Sequence, residues 1–349
     1  MFHKIIIYLK NFDWILFSSV LLLLSFGLVE IYSVALGQDD LSLLNFNKQV
    51  IAIAIGIIFL FLFSFFDYHN LRSYNKYLYF FGILFLVSVL IFGQTARGTK
   101  GWFYFGNFSL QPVEFIKILL IIFLAKYFSG AAIKLNPLKH LILSGLGVLL
   151  FVFLVLRQPD FGSAMILFLL WTFMVVAAGF KLKYLLIIGL IILFTITSGW
   201  LFFFEDYQKQ RISTFLNPGL DPLGQGFNIT QAIIAIGAGG IKGRGVGFGS
   251  QSQLKFLPEA QNDFIFAVIA EELGFFGISL VLLFFSVFFY RLISSIKKIN
   301  NDFGIYFLIG IMALIFIEMF INIGMNIGIL PVIGISLPFL SYGGSAIVS

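Results

Sequence analysis

The chain of 349 residues is strongly apolar, since hydrophobic residues make up 60% of it and charged residues only 11%. A soluble core of this length does not need so much apolar surface, so the composition indicates an integral membrane protein. The formal net charge is +6, and the absence of cysteine excludes disulfides, thiolate metal sites and cysteine nucleophiles and argues against redox chemistry.

Apolar runs of about the 20 residues that a membrane helix needs follow one another along the chain. They lie at 14–36, 48–66, 77–93, 112–128, 141–157, 161–179, 183–204, 264–290 and 303–330, with a tenth that starts near Phe339 and is cut off at Ser349. The predicted fold is an all-α polytopic membrane protein with one membrane domain over residues 1–349. The first run is too long for a signal peptide and is expected to stay as an anchor.

Lysine and arginine in the short loops predict a cytoplasmic N-terminus. Three segments then lie outside: 93–111, 157–160 and the large extracytoplasmic loop 205–262 between helices seven and eight. Their cations suit a diphosphate group, although each alone is equally well explained as a solvated charge or a headgroup contact. They are Arg97, Lys100, Arg157, Lys209, Arg211, Lys242, Arg244 and Lys255.

The glycine-rich stretch 237–253 fits neither the Walker nor the dinucleotide-binding spacing. Its glycines instead predict a mobile backbone that approaches a ligand closely. The apolar stretch 228–236 before it is too short to span, so it is predicted to be an interfacial or re-entrant helix.

Carboxylates stand at the edges of several runs, where charge is costly and tends to be functional or paired. Asp263 opens the eighth run and Asp160 the sixth, and helix capping is the alternative for both. Glu114 and Lys117 share a helix face, so a local ion pair is their simplest explanation.

Other acidic residues lie within the runs. At least one of Glu271 and Glu272 must face the protein interior. Glu30 and Glu318 are more isolated and are predicted to be structural.

Four stretches resemble the SEDS family (shape, elongation, division and sporulation), in the family's order and along essentially the whole chain. They are "RGTKGWFYFGNFSLQPVEFIKI" from Arg97, "QPDFGSA" from Gln158, the long stretch from Arg211 to "NDFIFAVIAEELG", and "NIGMNIGILPVIGISLPFLSYGGS" from Asn322. The stretch 251–259, "QSQLKFLPE", looks closer to elongation members of the family, such as RodA, than to division members, such as FtsW.

The resemblance implies ten membrane helices and a peptidoglycan glycosyltransferase of the bacterial cytoplasmic membrane. Such an enzyme polymerises lipid II at the outer face, extends a lipid-linked glycan and works with a class B penicillin-binding protein. It implies an essential acid at Asp263 and further site residues at Asp160, Trp102, Glu114 and Lys117. Many members carry a basic residue just before the tryptophan, where this chain has Gly101, with Lys100 one place earlier.

Joining two lipid-linked sugars requires a base for the acceptor hydroxyl and cations for the leaving undecaprenyl diphosphate. Asp263 is the candidate base, and Arg211, Lys117 and Lys255 are the candidates for the diphosphates. An inverting attack needs only one essential carboxylate, unlike the paired acids of glycoside hydrolases. A divalent cation, Mg²⁺ or Mn²⁺, could bridge diphosphate and carboxylate, but no dedicated cage is visible.

Two other classes stay open at this point. A flippase or transporter of lipid-linked saccharide would fit ten spans but predicts an inverted repeat, which the sequence lacks. A non-catalytic scaffold would need the helices but not Asp263. No feature indicates nucleic-acid binding.

Overall fold

The computed structural model describes residues 10–37, 43–96, 98–106, 108–130, 136–198, 206–221 and 224–349 of the chain. Helices dominate this part. In chain order they are α1 (Trp14–Leu36), α2 (Leu44–Ser64), α3 (His69–Phe92), α4 (Pro112–Phe128), α5 (Pro137–Leu156), α6 (Phe161–Ala177), α7 (Leu182–Ser198), α8 (Asp206–Leu216), α9 (Gln225–Gly239), α10 (Ser250–Gln253), α11 (Ile265–Ile296), α12 (Asp302–Asn326) and α13 (Gly344–Val348).

Six helices of the described residues are long and apolar enough to cross a membrane: α1, α2, α3, α5, α11 and α12. Helices α4, α6 and α7 have 17 residues each. The protein is therefore a mostly helical, polytopic membrane protein. The predicted run at 14–36 matches α1 and the run at 112–128 matches α4, which begins with proline at a position where a missing N–H costs nothing.

The segment 93–111, which is predicted to lie outside, contains a small antiparallel sheet that the apolar pattern does not predict. Strands β1 (Gln94–Ala96), β2 (Thr99–Phe105) and β3 (Phe108–Leu110) pair in chain order, with Gln94 opposite Trp102 and Tyr104 opposite Ser109. Strand β2, which carries Trp102, packs against α4.

The tenth apolar run is predicted to be helical from near Phe339, but its helix begins later. Residues 327–343 form an irregular segment, and α13 starts only at Gly344. Pro331 and Pro338 lack the N–H that a helix interior requires, and Gly334 has a φ of 78°, so this segment cannot continue α12.

The large loop is folded rather than extended. Its described part contains α8, α9 and α10, and α9 includes the predicted short helix at 228–236 but extends beyond it at both ends. The predicted end of the seventh run, 199–204, and the first loop residue, Glu205, lie outside the described residues.

The helices pack in a buried core that centres on α4 and α6. Leu120, Leu124, Leu167 and Leu170 are fully buried there. Packing between membrane helices depends on close contact and on hydrogen bonds, because lipid is as apolar as the side chains. One such bond is donated by the buried amide of Asn75 in α3 to the carbonyl of Ile122 in α4, at 2.9 Å.

Candidate active site

A polar cavity of about 450 Å³ lies where the small sheet, the large loop and the segment after α12 meet. Its charged lining comes from separate parts of the chain: Glu114, Lys117, Asp160, Arg211, Glu259 and Asp263. Three residues with hydroxyl groups also line the cavity: Ser336, Tyr342 and Ser345. The cavity thus gathers residues that are up to about 250 positions apart in the sequence, which no local pattern could indicate.

Asp263 lies at the mouth of α11 and lines this cavity. The residue at the capping position of α11 is Phe264, so Asp263 lies one residue before the cap. Its carboxylate is next to Gly334, where an added Cβ would lie 3.5 Å from Oδ2. Glu259, which no sequence pattern singles out, also lines the cavity, and its backbone has a φ of 50°.

Trp102 and Arg211 also line the cavity, from β2 and α8 respectively. The indole N–H of Trp102 is buried and has no hydrogen-bond partner among the described residues, so it can donate to a ligand. Lys100 and Lys255 are predicted to bind substrate, but neither is part of the cavity wall, and Lys255 is exposed.

Lys117 is the centre of a buried ion triad. Its ammonium group lies 2.8 Å from the carboxylate of Glu114 and 2.7 Å from that of Glu318. The prediction that Glu318 is isolated is therefore wrong. The local ion pair between Glu114 and Lys117, predicted as their simplest explanation, is present. Two carboxylates against one ammonium leave a net charge of −1, which disfavours direct binding of a diphosphate by Lys117.

Asp160 caps α6. Its Oδ1 accepts the backbone N–H of Ser163 at 2.9 Å, and its Oδ2 accepts the Ser163 hydroxyl at 2.8 Å and the side-chain amide of Gln111 at 3.4 Å. The capping alternative is thus what the structure contains, in a residue that also lines the cavity.

The glycine-rich stretch 237–253 packs against its own chain and not against the cavity. Within the continuous described stretch 224–349, none of its residues lines the cavity wall. A Cβ at Gly239 would collide with the carbonyl of Ala270, and one at Gly243 with the carbonyl of Glu272. The glycines of this stretch therefore admit the backbone of α11, and the close approach to a ligand stays a prediction.

Glu271 and Glu272 both point into the protein and hold this stretch. Glu271 accepts the N–H groups of Gln251 at 2.8 Å and Ser252 at 3.1 Å. Glu272 accepts the N–H of Gly247 at 3.0 Å. Buried carboxylates are stable when they accept several such bonds, so these two have a structural explanation.

Glu30 of α1 is fully buried and interacts with Glu272. One helical turn further, the Ser33 hydroxyl donates to the same Glu272 carboxylate at 2.6 Å. Glu30 is therefore part of the contact between α1 and α11 and is not isolated.

The described residues contain no group of three or more histidine and acidic side chains that could hold a metal ion. A Mg²⁺ ion commonly keeps several waters and uses one or two carboxylates together with substrate phosphates. The carboxylates of this cavity do not form a cage made of protein alone, but one or two of them fit a Mg²⁺ site that is completed by water and substrate phosphates.

The fold and the cavity define a polytopic membrane protein with carboxylates at the mouths of its helices. The family profile FTSW_RODA_SPOVE, described as "Cell cycle protein", matches residues 13–349. The chain belongs to this family, so the resemblance to SEDS proteins is confirmed.

Two relatives and one solved structure illustrate the similarity. The chain is 39% identical over 346 residues to stage V sporulation protein E of Bacillus subtilis (strain 168), which covers 96% of this chain and 93% of the relative. It is 37% identical over 277 residues to peptidoglycan glycosyltransferase MrdB of Escherichia coli (strain K12), covering 79% and 75%. A structure described as "Structural coordination of polymerization and crosslinking by a peptidoglycan synthase complex" superposes with a TM-score of 0.80 at 29% identity, over 97% of this chain and 95% of that chain.

Proposed function

We propose that this protein is a peptidoglycan glycosyltransferase that polymerises lipid II into glycan strands. Membership of the family, and the glycosyltransferase name of a relative 37% identical to it, support the activity. The observation that carries the proposal to particular residues is the polar cavity with Asp263 at a helix mouth. We further propose ten membrane helices with this cavity at the outer face of the cytoplasmic membrane.

A lipid-linked saccharide needs a polar and an apolar compartment side by side. A second cavity, of about 480 Å³ and mostly apolar lining, shares Glu114, Lys117 and Ser336 with the polar one. The polar compartment would hold the sugars and diphosphate, and the apolar one would hold the start of the lipid chain.

Asp263 is proposed to act as the general base. The acceptor hydroxyl gives its proton to the Asp263 carboxylate while its oxygen bonds to the anomeric carbon of the donor. The bond from that carbon to the diphosphate breaks, and the lipid diphosphate leaves with the electron pair. The attack inverts the anomeric centre and needs no covalent enzyme intermediate.

Arg211 in α8 is proposed to bind the substrate by its charge. Trp102 in β2 is proposed to bind it by donating its buried indole N–H. Lys100 in β2 and Lys255 lie outside the cavity wall, so they would contact only a part of the substrate that extends beyond the cavity. Lys117 and Glu114 would shape the boundary between the two compartments. A bound Mg²⁺ or Mn²⁺ would supply further positive charge to the diphosphate.

We propose a class B penicillin-binding protein as the partner, because the structure with a TM-score of 0.80 is described as a complex of polymerisation and crosslinking. We also propose a role in cell elongation, on the basis of the stretch 251–259, with septal synthesis as the alternative role of the same activity.

The test is glycan polymerisation by the protein in lipid nanodiscs with a class B partner and lipid II. Asp263→Asn is expected to lower kcat by about 100- to 10,000-fold, the range for loss of a general base. Asp302→Asn, the same chemical change at the start of α12 and outside the cavity, is the matched control. Equal rates in the two variants would remove Asp263 as the base.

Absence of polymer from the folded wild-type complex would instead favour a flippase or a scaffold. Transfer of lipid II across the vesicle bilayer would then distinguish these two.

A further inference from the structure

The peptide carbonyl of Asp263 is held by two buried amides of α12. Asn322 and Asn326, which lie one helical turn apart and are fully buried, each donate from Nδ2 to this carbonyl at 2.9 Å. The Oδ1 of Asn326 also accepts the N–H of Ala267, in the first turn of α11, at 3.2 Å. Two side chains are thus dedicated to the backbone around one residue.

Asn322 also joins two walls of the cavity. Its amide donates a second bond, of 2.7 Å, to the carbonyl of Ile335. Ile335 and its neighbour Gly334 line the cavity, and Gly334 is the residue beside the Asp263 carboxylate. A single side chain therefore sets the separation between Asp263 and the backbone that faces it.

The two residues before Asp263 are held in the same way from the C-terminal segment. The hydroxyl of Ser341 donates to the carbonyl of Asn262 at 2.6 Å, and the N–H of Tyr342 donates to the carbonyl of Gln261 at 2.8 Å. Three consecutive carbonyls before α11 are bonded, so the backbone that carries Asp263 has little freedom to shift.

Ordinary buried amides in membrane helices donate to a neighbouring helix, as Asn75 does with Ile122. Asn322 and Asn326 differ because both direct a donor to the carbonyl of the residue whose carboxylate lines the cavity. In catalysis, a displacement of about 1 Å can cost about 100-fold in rate, so fixing the backbone of a base has a direct kinetic value.

We propose that Asn322 and Asn326 are positioning residues for the reaction and that they act by fixing the main chain of Asp263. This inference rests on the proposed function, in which Asp263 is the base. Both amides act through Asp263 and have no direct contact with the substrate in this role.

The test replaces each asparagine by leucine, which has a similar size and no donor, in the full chain with its class B partner. Each of Asn322→Leu and Asn326→Leu leaves one amide on the Asp263 carbonyl, so kcat per folded protein is expected to fall about 10-fold. In the double variant kcat is expected to fall about 100-fold, which is the cost of a displacement of about 1 Å. KM for lipid II is expected to stay within about twofold, because the positioning of a base acts on the chemical step.

Asn75→Leu is the matched control, since it removes an amide-to-carbonyl bond between α3 and α4 outside both cavities. Its kcat per folded protein is expected to stay within about twofold of wild type. Folded protein is measured by size exclusion and by resistance to limited proteolysis. If the double variant does not fold, the two single variants decide against this control.

Two results would overturn the inference while leaving the proposed function intact, provided that Asp263→Asn is inactive. One is a wild-type kcat in the folded asparagine variants. The other is a rise in KM alone, which would indicate a substrate contact. An active Asp263→Asn variant would instead refute the base assignment on which the inference rests.

Discussion

Replacing Lys117 by methionine is expected to destabilise the protein by about 3–5 kcal/mol, the usual cost of removing one partner from a buried ion pair. The side chains of Lys117, Glu114 and Glu318 are only 6%, 14% and 12% exposed, so most of the surface of the two carboxylates would stay buried after the ammonium is lost. The two remaining carboxylates would repel each other. Such a loss is a large part of the 5–15 kcal/mol that holds a typical domain folded.

The assay is reversible unfolding in mild detergent, with Lys126→Met as a control at an exposed position of the same helix. That control is expected to change the free energy of unfolding by less than about 0.5 kcal/mol. In the triple variant Lys117→Met with Glu114→Gln and Glu318→Gln, the three triad positions are uncharged. This variant is expected to recover most of the lost free energy of unfolding.

The triple variant also separates structure from substrate binding. If Lys117 is structural, the triple variant polymerises lipid II with a KM within about twofold of wild type. A Lys117→Met protein as stable as wild type would refute the reasoning about the triad. A stable triple variant with a strongly raised KM would restore Lys117 as a diphosphate ligand.

Two further predictions concern the glycine-rich stretch and divalent cations. Gly239→Ala is expected to disrupt the packing on α11 and lower thermal stability, because the new Cβ meets the Ala270 carbonyl, whereas Gly237→Ala, which meets nothing within 4 Å, is expected to stabilise α9 by up to about 1 kcal/mol. Equal stability of the two variants would contradict the packing explanation. Chelation with EDTA is expected to lower polymerisation at least about 10-fold, with recovery on adding Mg²⁺, because cations neutralise the departing diphosphate; an unchanged rate would show that protein cations suffice.

The membrane helices are the part of the fold that the sequence predicts best. Runs of apolar residues predict the bounds of α1 and α4, because a segment in lipid must be apolar and must pair its backbone groups within a helix. The β-strands near Trp102 are short and their pairing depends on neighbours in space, so hydropathy carries no signal for them.

The candidate site is predicted only in part. Asp263 is identified because a carboxylate at a helix mouth is conspicuous in an apolar chain. The pairing of Glu318 with Lys117 joins residues 201 positions apart, and the sequence shows only the nearby Glu114. No local pattern singles out Asn322, because the sequence does not reveal that its side-chain amide meets the carbonyl of Asp263.

The glycine-rich stretch illustrates the same limit from another side. Glycines indicate that a backbone is approached closely, but they do not indicate by what. Here Gly239 and Gly243 admit α11, whose Glu271 and Glu272 then bind the N–H groups of the stretch.

Charge in the polar cavity decides how it can bind a diphosphate. Among the described residues that line it, four carboxylates face two cations, and one of those cations, Lys117, is already bonded to two carboxylates. Arg211 is then the one lining cation outside the triad, and it has a planar fork that suits phosphate oxygens. Arg211 alone would leave the proposed diphosphate undercompensated, so further positive charge would have to come from a divalent cation, from lysines outside the cavity wall such as Lys100 and Lys255, or from the proposed partner. The predicted loss of activity on chelation tests the first of these sources directly.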